Sequence, residues 1–211
     1  MSPSPHASKR AVLDAALQVI RTKGYAATTL DDLCAAAGVT KGSFFHHFTG
    51  KEDMTLAAIA HWNRVTGEVF EHASFQKKKD PRDRVLGYID FRRQLLQGQV
   101  QEYTCLLGTL VQETFATHPR LRDACNAGIS AHARTVARDI AAAKALHAPD
   151  ARWDPEALAL FTQAALQGAF VLAKARGHAR IAADCVDHLR QHVARLLGAK
   201  ARSGSREQAT R

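Results

Sequence analysis

The sequence predicts an all-α fold of about nine helices, in which a small N-terminal three-helix unit carrying a helix-turn-helix precedes a larger helical bundle. Three observations lead there. Apolar residues recur with helical spacing along nearly the whole 211-residue chain. Glycine and proline stand at the breaks between those runs. Two short helical segments are separated only by Gly38, Val39 and Thr40, a spacing that suits a tight turn between two crossed helices.

Val12, Ala15, Ala16, Val19 and Ile20 fall at i, i+3, i+4, i+7 and i+8, so residues 8–23 read as the first helix, with Gly24 as its stop. Thr29, followed three residues later by Asp32, resembles a capping box and opens a short helix through Leu33 to Ala37. Gly38 closes it, because only a residue without a Cβ enters a left-handed turn freely. Thr40 is the N-cap expected for the next short helix, Lys41 to Phe48, which Gly50 ends. Longer helices are expected over 52–75, 82–98, 102–117, 119–147, 155–176 and 179–198, with breaks near Pro119, Pro149, Pro155 and Gly177. This divides the chain into residues 1–55, residues 56–198, and a tail over 199–211 that lacks periodicity and is expected to be disordered.

Composition narrows the function classes. With 46% apolar residues the chain can bury a core without disulfides. Its four cysteines, Cys34, Cys105, Cys125 and Cys185, form no CxxC pair, which argues against a zinc site or a disulfide framework and for reduced thiols in the cytoplasm. No apolar leader follows the N-terminus, and no apolar run reaches the roughly 18 residues of a membrane span. The net charge of +9 is not concentrated at the helix-turn-helix: residues 1–55 carry 6 basic and 5 acidic groups, and residues 151–211 carry 10 and 5. Neither GxSxG, HExxH, GxGxxG nor a phosphate-loop motif occurs, and acidic residues are not paired in apolar settings, so catalysis is not expected. No cofactor or metal is indicated. His46 and His47 project about 100° apart on a helix and are poorly placed to share one ion.

In a helix-turn-helix the second helix enters the DNA major groove with its N-terminal residues against base edges, which accounts for small Gly42 and Ser43 there. Phe44 and Phe48 share a face that can pack on the first helix. The run TTLDDLCAAAGVTKGSFFHHFTGKEDM resembles the N-terminal domain of the tetracycline-repressor (TetR) family of transcriptional regulators. That resemblance implies DNA contacts from Thr29, Thr40, Lys41, Ser43, Phe44, Phe45, His46, His47 and Lys51. Two departures stand out: Phe45 occupies a position where many members carry Tyr, and Gly50 one where Ser often caps the next helix. The implied partners are double-stranded operator DNA, a small-molecule effector and a second copy of the chain, with no membrane. A helical nucleic-acid-binding or architectural protein without a sensor is the alternative.

The last two long helices carry the expected assembly surface. Ala165, Gly168 and Ala169 keep one helix thin, and Leu189, Val193 and Leu196 give the other an apolar stripe. The same faces could instead pack within one chain. The resemblance favours a two-fold dimer, since two readers must meet major grooves about 34 Å apart on a pseudopalindrome. In the middle region Tyr103, Leu107, Phe115 and Phe170 belong to an apolar set that can be solid core or can line a cavity, and the residues leave both open. The family uses this region for an effector. Cys105, expected in the first turn of a helix, and Lys174, expected on a facing helix, resemble a subset of the family in which a thiol senses electrophiles or oxidants. A packed, inert cysteine is the bland alternative.

Overall fold

The computed structural model describes residues 5–199. Among these it contains ten α-helices and one 3₁₀ turn. Helix α1 (Pro5–Lys23), α2 (Leu30–Ala37), α3 (Lys41–His47) and α4 (Lys51–Glu71) come first, and the 3₁₀ turn Ser74–Lys77 follows. Then come α5 (Pro81–Gln94), α6 (Val100–Tyr103), α7 (Leu106–Thr114), α8 (Pro119–His147), α9 (Pro155–Arg176) and α10 (Arg180–Leu196). The tail expected to be disordered lies, from residue 200 on, outside the described residues.

Local chemistry sets the first elements. Thr29 caps α2 by accepting from Asp32 N at 3.1 Å while Asp32 accepts from Thr29 N at 3.0 Å, a reciprocal capping box. Gly38 adopts φ 64° and ψ 35°, and Val39 N donates to Cys34 O at 3.0 Å, so the left-handed residue ends α2 as the sequence suggests. Thr40 caps α3 by accepting from Ser43 N at 3.1 Å. Gly50 gives α4 no side-chain cap; the Asp53 carboxylate supplies that end by accepting from Thr49 N at 3.0 Å.

Three expected elements differ. The helix expected over 52–75 stops at Glu71, because His72 and Ala73 leave the helix before the 3₁₀ turn. The one expected over 82–98 stops at Gln94. The one expected over 102–117 is two: α6 ends at Tyr103, Thr104 is extended (φ −82°, ψ 154°), and Cys105 is the N-cap of α7, not a first-turn residue. Helical periodicity runs through such a break unchanged, so apolar spacing does not reveal it.

Two cores form, and they do not part at residue 55. The first joins Val12, Ile20, Leu33, Phe44 and Met54 of α1 to α4 with Leu106 and Leu110 of α7 and Leu121 and Cys125 of α8. The second joins Phe70, Phe75 and Ile89 with Ile140 of α8, Leu166 and Phe170 of α9, and Val186, Leu189 and Val193 of α10. α8 spans both, packing on α4, α5, α7 and α9. By length and composition α9 is apolar enough to cross a membrane, which the sequence reading did not anticipate. It packs between α8 and α10 along one side of the bundle.

Candidate nucleic-acid interface and ligand cavity

The caps of α2 and α3 fix how α3 is presented. Phe44 is fully buried against the first core and tilts against Phe48 with centroids 5.3 Å apart. The expected DNA contact by Phe44 is therefore corrected: the side chain anchors α3, and its burial stabilises the unit by about 1.5–3 kcal/mol. His47, by contrast, is only half-buried. Its Nε2 lies 2.7 Å from Ser8 Oγ of α1, and burial, with His46 and Lys9 nearby, holds it below the ordinary histidine range, so it braces α3 on α1. What α3 leaves outward is Thr40, Lys41, Gly42, Phe45 and His46, with Ser43 half-buried. Phe45 is 54% exposed, with its ring edge-on to Phe44 at 5.5 Å between centroids.

Lys41 and Lys51 are not alike. Lys41 Nζ pairs with Asp31 at 2.8 Å, both exposed, so the contact is a weak, solvent-screened one. Lys51 Nζ donates to Ala26 O at 3.3 Å and sits 4.3 Å from the Tyr25 ring centroid, and burial lowers its pKa. It clamps the turn after α1 to the start of α4. Thr29, also expected to touch DNA, is exposed beside its capping box.

A cavity of about 320 Å³ opens between α4, α5, α7, α8 and α9. Cys105, Leu107 and Phe170 of the expected effector set line it. The remaining three do not. Phe115, the C-cap of α7, is 60% exposed, about two helical turns past Leu107. Tyr103 is buried outside the cavity against Phe170, with centroids 6.5 Å apart, and its hydroxyl lacks a hydrogen-bond partner among the described residues. Lys174 Nζ donates to Thr109 Oγ1 at 2.7 Å, and Thr109 in turn donates to Cys105 O at 3.0 Å. Lys174 and Cys105 share only a separate crevice of about 10 Å³.

Polar residues that sequence reasoning missed line the cavity: Arg92, His132, Gln163, Gln167 and Asn63. Arg92 lies four residues after Tyr88 and three after Ile89, in helical step with the buried stripe of α5, and that placement of a charge was the available signal. Its Nε donates to Tyr88 Oη at 3.1 Å, and its Nη2 lies 3.1 Å from His132 Nε2. The guanidinium sits 4.4 Å from the Phe70 ring centroid. Tyr88 Oη is 2.9 Å from His132 Nε2 and accepts from Gln163 Nε2 at 3.1 Å. Burial, then Arg92, lowers His132 to a pKa of about 3, leaving it neutral near pH 7.

One buried cation links cavity and reader. Arg21 of α1 donates to Leu17 O at 2.8 Å, Glu102 O at 3.0 Å and Thr104 O at 3.3 Å. It also lies 5.0 Å from the ring centroid of Trp62, a cavity-lining residue of α4. Burial lowers its pKa to about 10, still charged at neutral pH. A second link is Glu113 of α7, whose carboxylate accepts from Ala26 N at 3.0 Å. Gly24, at φ 84°, leaves no room for a Cβ beside that carboxylate.

The assembly residues need sorting. Ala169, Leu189 and Val193 are buried in the chain's own core, so they hold α9 and α10 together within one chain. Ala165 and Leu196 are half-buried and Gly168 is exposed. The uncovered face of α9 is instead Leu160, Phe161, Gly168, Val171 and Leu172, with the four large side chains 45–54% exposed.

Comparison with known proteins agrees with this arrangement. Residues 12–58 match the family described as bacterial regulatory proteins, tetR family, and residues 81–196 match the tetracyclin repressor-like C-terminal domain. Transcriptional regulator AcuR of Cereibacter sphaeroides is 27% identical over 82% of this chain and 79% of its own length. The structure of a TetR regulatory protein from Rhodobacter sphaeroides superposes with a TM-score of 0.75 at 26% identity, covering 89% of this chain and 97% of that one. A TetR transcriptional regulator from Chloroflexus aurantiacus gives 0.79 at 25%, covering 90% and 96%.

Proposed function

Since this chain belongs to the TetR family, whose members are homodimeric DNA-binding transcriptional regulators and not enzymes, we propose that it is a cytoplasmic repressor released from a pseudopalindromic operator when a small molecule fills the α4–α5–α7–α8–α9 cavity. The observation that carries this reading is Arg21, which ties α1 to the backbone before Cys105 and to the cavity-wall Trp62. A ligand that shifts α4 or the Thr104–Cys105 link moves α1, and α1 braces α3 through His47 and Phe44. Such a ligand must bind the released arrangement more tightly, because equal affinity shifts nothing. A coupling of about 1–3 kcal/mol is enough.

Base contacts are assigned to Lys41, Ser43, Phe45 and His46, and phosphate contacts to Thr29, Thr40 and Lys51. Lys51 acts mainly by fixing the turn after α1. The dimer is assigned to the uncovered α9 face, with Gly168 and Ala165 allowing close approach of a second α9 and Leu196 at its margin. A gel shift against the DNA flanking the chain's own gene tests the reading. One discrete complex that survives competitor DNA supports a regulator, and unbroken smearing supports an architectural binder.

Cys105 carries a second effector reading, because it lines both the cavity and the crevice that holds Lys174. An electrophile such as a quinone would then release operator from the wild type and fail with Cys105→Ser. Cys125 is no competitor, since burial raises its pKa to about 12.

A further inference from the structure

We propose that the cavity is built for a small organic monoanion, a carboxylate held by Arg92. The proposal rests on the effector reading for its biological meaning and on the cavity itself for its chemistry. Among the described residues Arg92 is the one lining residue with a full charge at neutral pH, and no carboxylate lies within ion-pair distance of it. Its neighbours are neutral: the Tyr88 hydroxyl, an uncharged His132 and the face of Phe70. Arg92 is half-buried, and a cation partly withdrawn from water gains from an opposite charge placed beside it.

The hydrogen bonds run in one consistent direction. Arg92 and Gln163 both donate to Tyr88 Oη, which can then donate only to His132 Nε2. Those contacts engage Nε and, shared with the tyrosine hydroxyl on the single lone pair of His132 Nε2, one Nη2 hydrogen of the guanidinium; the other N–H groups have no hydrogen-bond partner among the described residues. The fork that remains suits the two oxygens of a carboxylate. Phe70, packed against Phe91 and His132 with centroids 5.6 and 5.0 Å away, holds the plane of the guanidinium in place.

Charge selects among anions. A dianionic phosphate would need a second cation, and neither Lys nor a further Arg lines this cavity among the described residues. The adjoining cavity of about 350 Å³ carries carboxylates, Glu71 and Asp139, with Asp139 paired to Arg84 at 2.7 Å, so it repels an anion. Leu107, Ile129, Leu166 and Trp62 supply an apolar wall for the hydrocarbon part of the acid, and Asn63 and Gln167 supply amides.

The test uses full-length protein and a panel of acids, acetate, hexanoate, benzoate and 4-hydroxybenzoate, each paired with its neutral amide. Binding is read by calorimetry and thermal shift, and operator affinity by fluorescence anisotropy. At least one acid should bind tenfold or more tightly than its amide, with Arg92→Gln abolishing that preference and Arg92→Lys, which keeps the charge and loses the fork, retaining part of it. If no acid outbinds its amide on the wild-type protein, the proposal is overturned, and that comparison does not depend on any variant folding. An acid preference that persists in folded Arg92→Gln also overturns it. Acids that bind through Arg92 without changing operator affinity uphold the site and remove the effector reading. Amides that bind in the cavity and release operator while the acids do not uphold the effector reading and remove the monoanion.

Discussion

The two cores of this molecule are filled differently. Around α1, the side chains of Val12, Ile20, Leu33, Phe44 and Met54 leave no exposed surface, and the one buried cation, Arg21, spends its donors on backbone carbonyls. Around α5 and α8, the apolar packing is interrupted by Arg92, His132, Tyr88 and Gln163, whose hydrogen bonds connect side chain to side chain beside an open cavity. The first arrangement holds one geometry. The second keeps polar groups poised toward space that something else can occupy. A regulator needs both, because a reader that yields loses its register on DNA, while a sensor that is already full has nothing to sense.

The sharpest way to break this comparison is Phe44→Ala. In a solid core it should cost about 3–5 kcal/mol in urea unfolding, whereas Phe45→Ala, one residue along and exposed, should stay within about 0.5 kcal/mol while weakening operator binding. Similar costs at the two positions would mean that α3 is not anchored as described. Arg21→Met comes next. It leaves the Glu102 and Thr104 carbonyls without their partner, should lose about 1–3 kcal/mol of stability, and should blunt effector-driven release more than operator affinity itself. A variant that still releases normally would place the coupling elsewhere, with Glu113 the next residue to change.

Acid titration sharpens the contrast from the sensor side. His132 has a folded pKa of about 3, below its unfolded value of 6.5. The unfolded chain therefore binds the proton first. The stability from keeping His132 neutral is fully present above pH 6.5 and is lost as pH falls toward 3, at up to about 1.4 kcal/mol per pH unit. Denaturation series at pH 7, 5.5 and 4.5 should show His132→Gln with a shallower loss than wild type. Parallel curves would mean that the histidine is not held neutral by its surroundings. The smallest effect is expected at the reader's rim, where Thr29→Ala removes the capping box of α2 for about 1 kcal/mol and should leave the cavity's ligand affinity unchanged.

Much of the DNA-reading end was legible before any coordinates. Thr29 with Asp32, Gly38, and Thr40 with Ser43 are contacts between residues three or four apart or less, so the caps and turn that build α2 and α3 are written in adjacent letters. The starts of α8 and α9 at Pro119 and Pro155 were legible for the same reason, since proline suits the first turn of a helix and ends what precedes it. The break at Thr104 was not, because its two flanking helices keep one apolar period.

What only the tertiary structure decided lies at longer range. Whether Phe44 met DNA or core depended on α1 and α2 packing against α3. The sorting of α9, with Ala169 turned inward and Leu160, Phe161, Val171 and Leu172 left outward, depended on where α8 and α10 packed. Arg92 and His132 are 40 residues apart in sequence and 3.1 Å apart in space; a charge in step with the buried stripe of α5 marks Arg92, but nothing in the sequence marks His132 as its neighbour. A cap satisfies a backbone group within its own turn, so sequence determines it; a cavity is a gap among five helices, and its lining exists only once all five have packed.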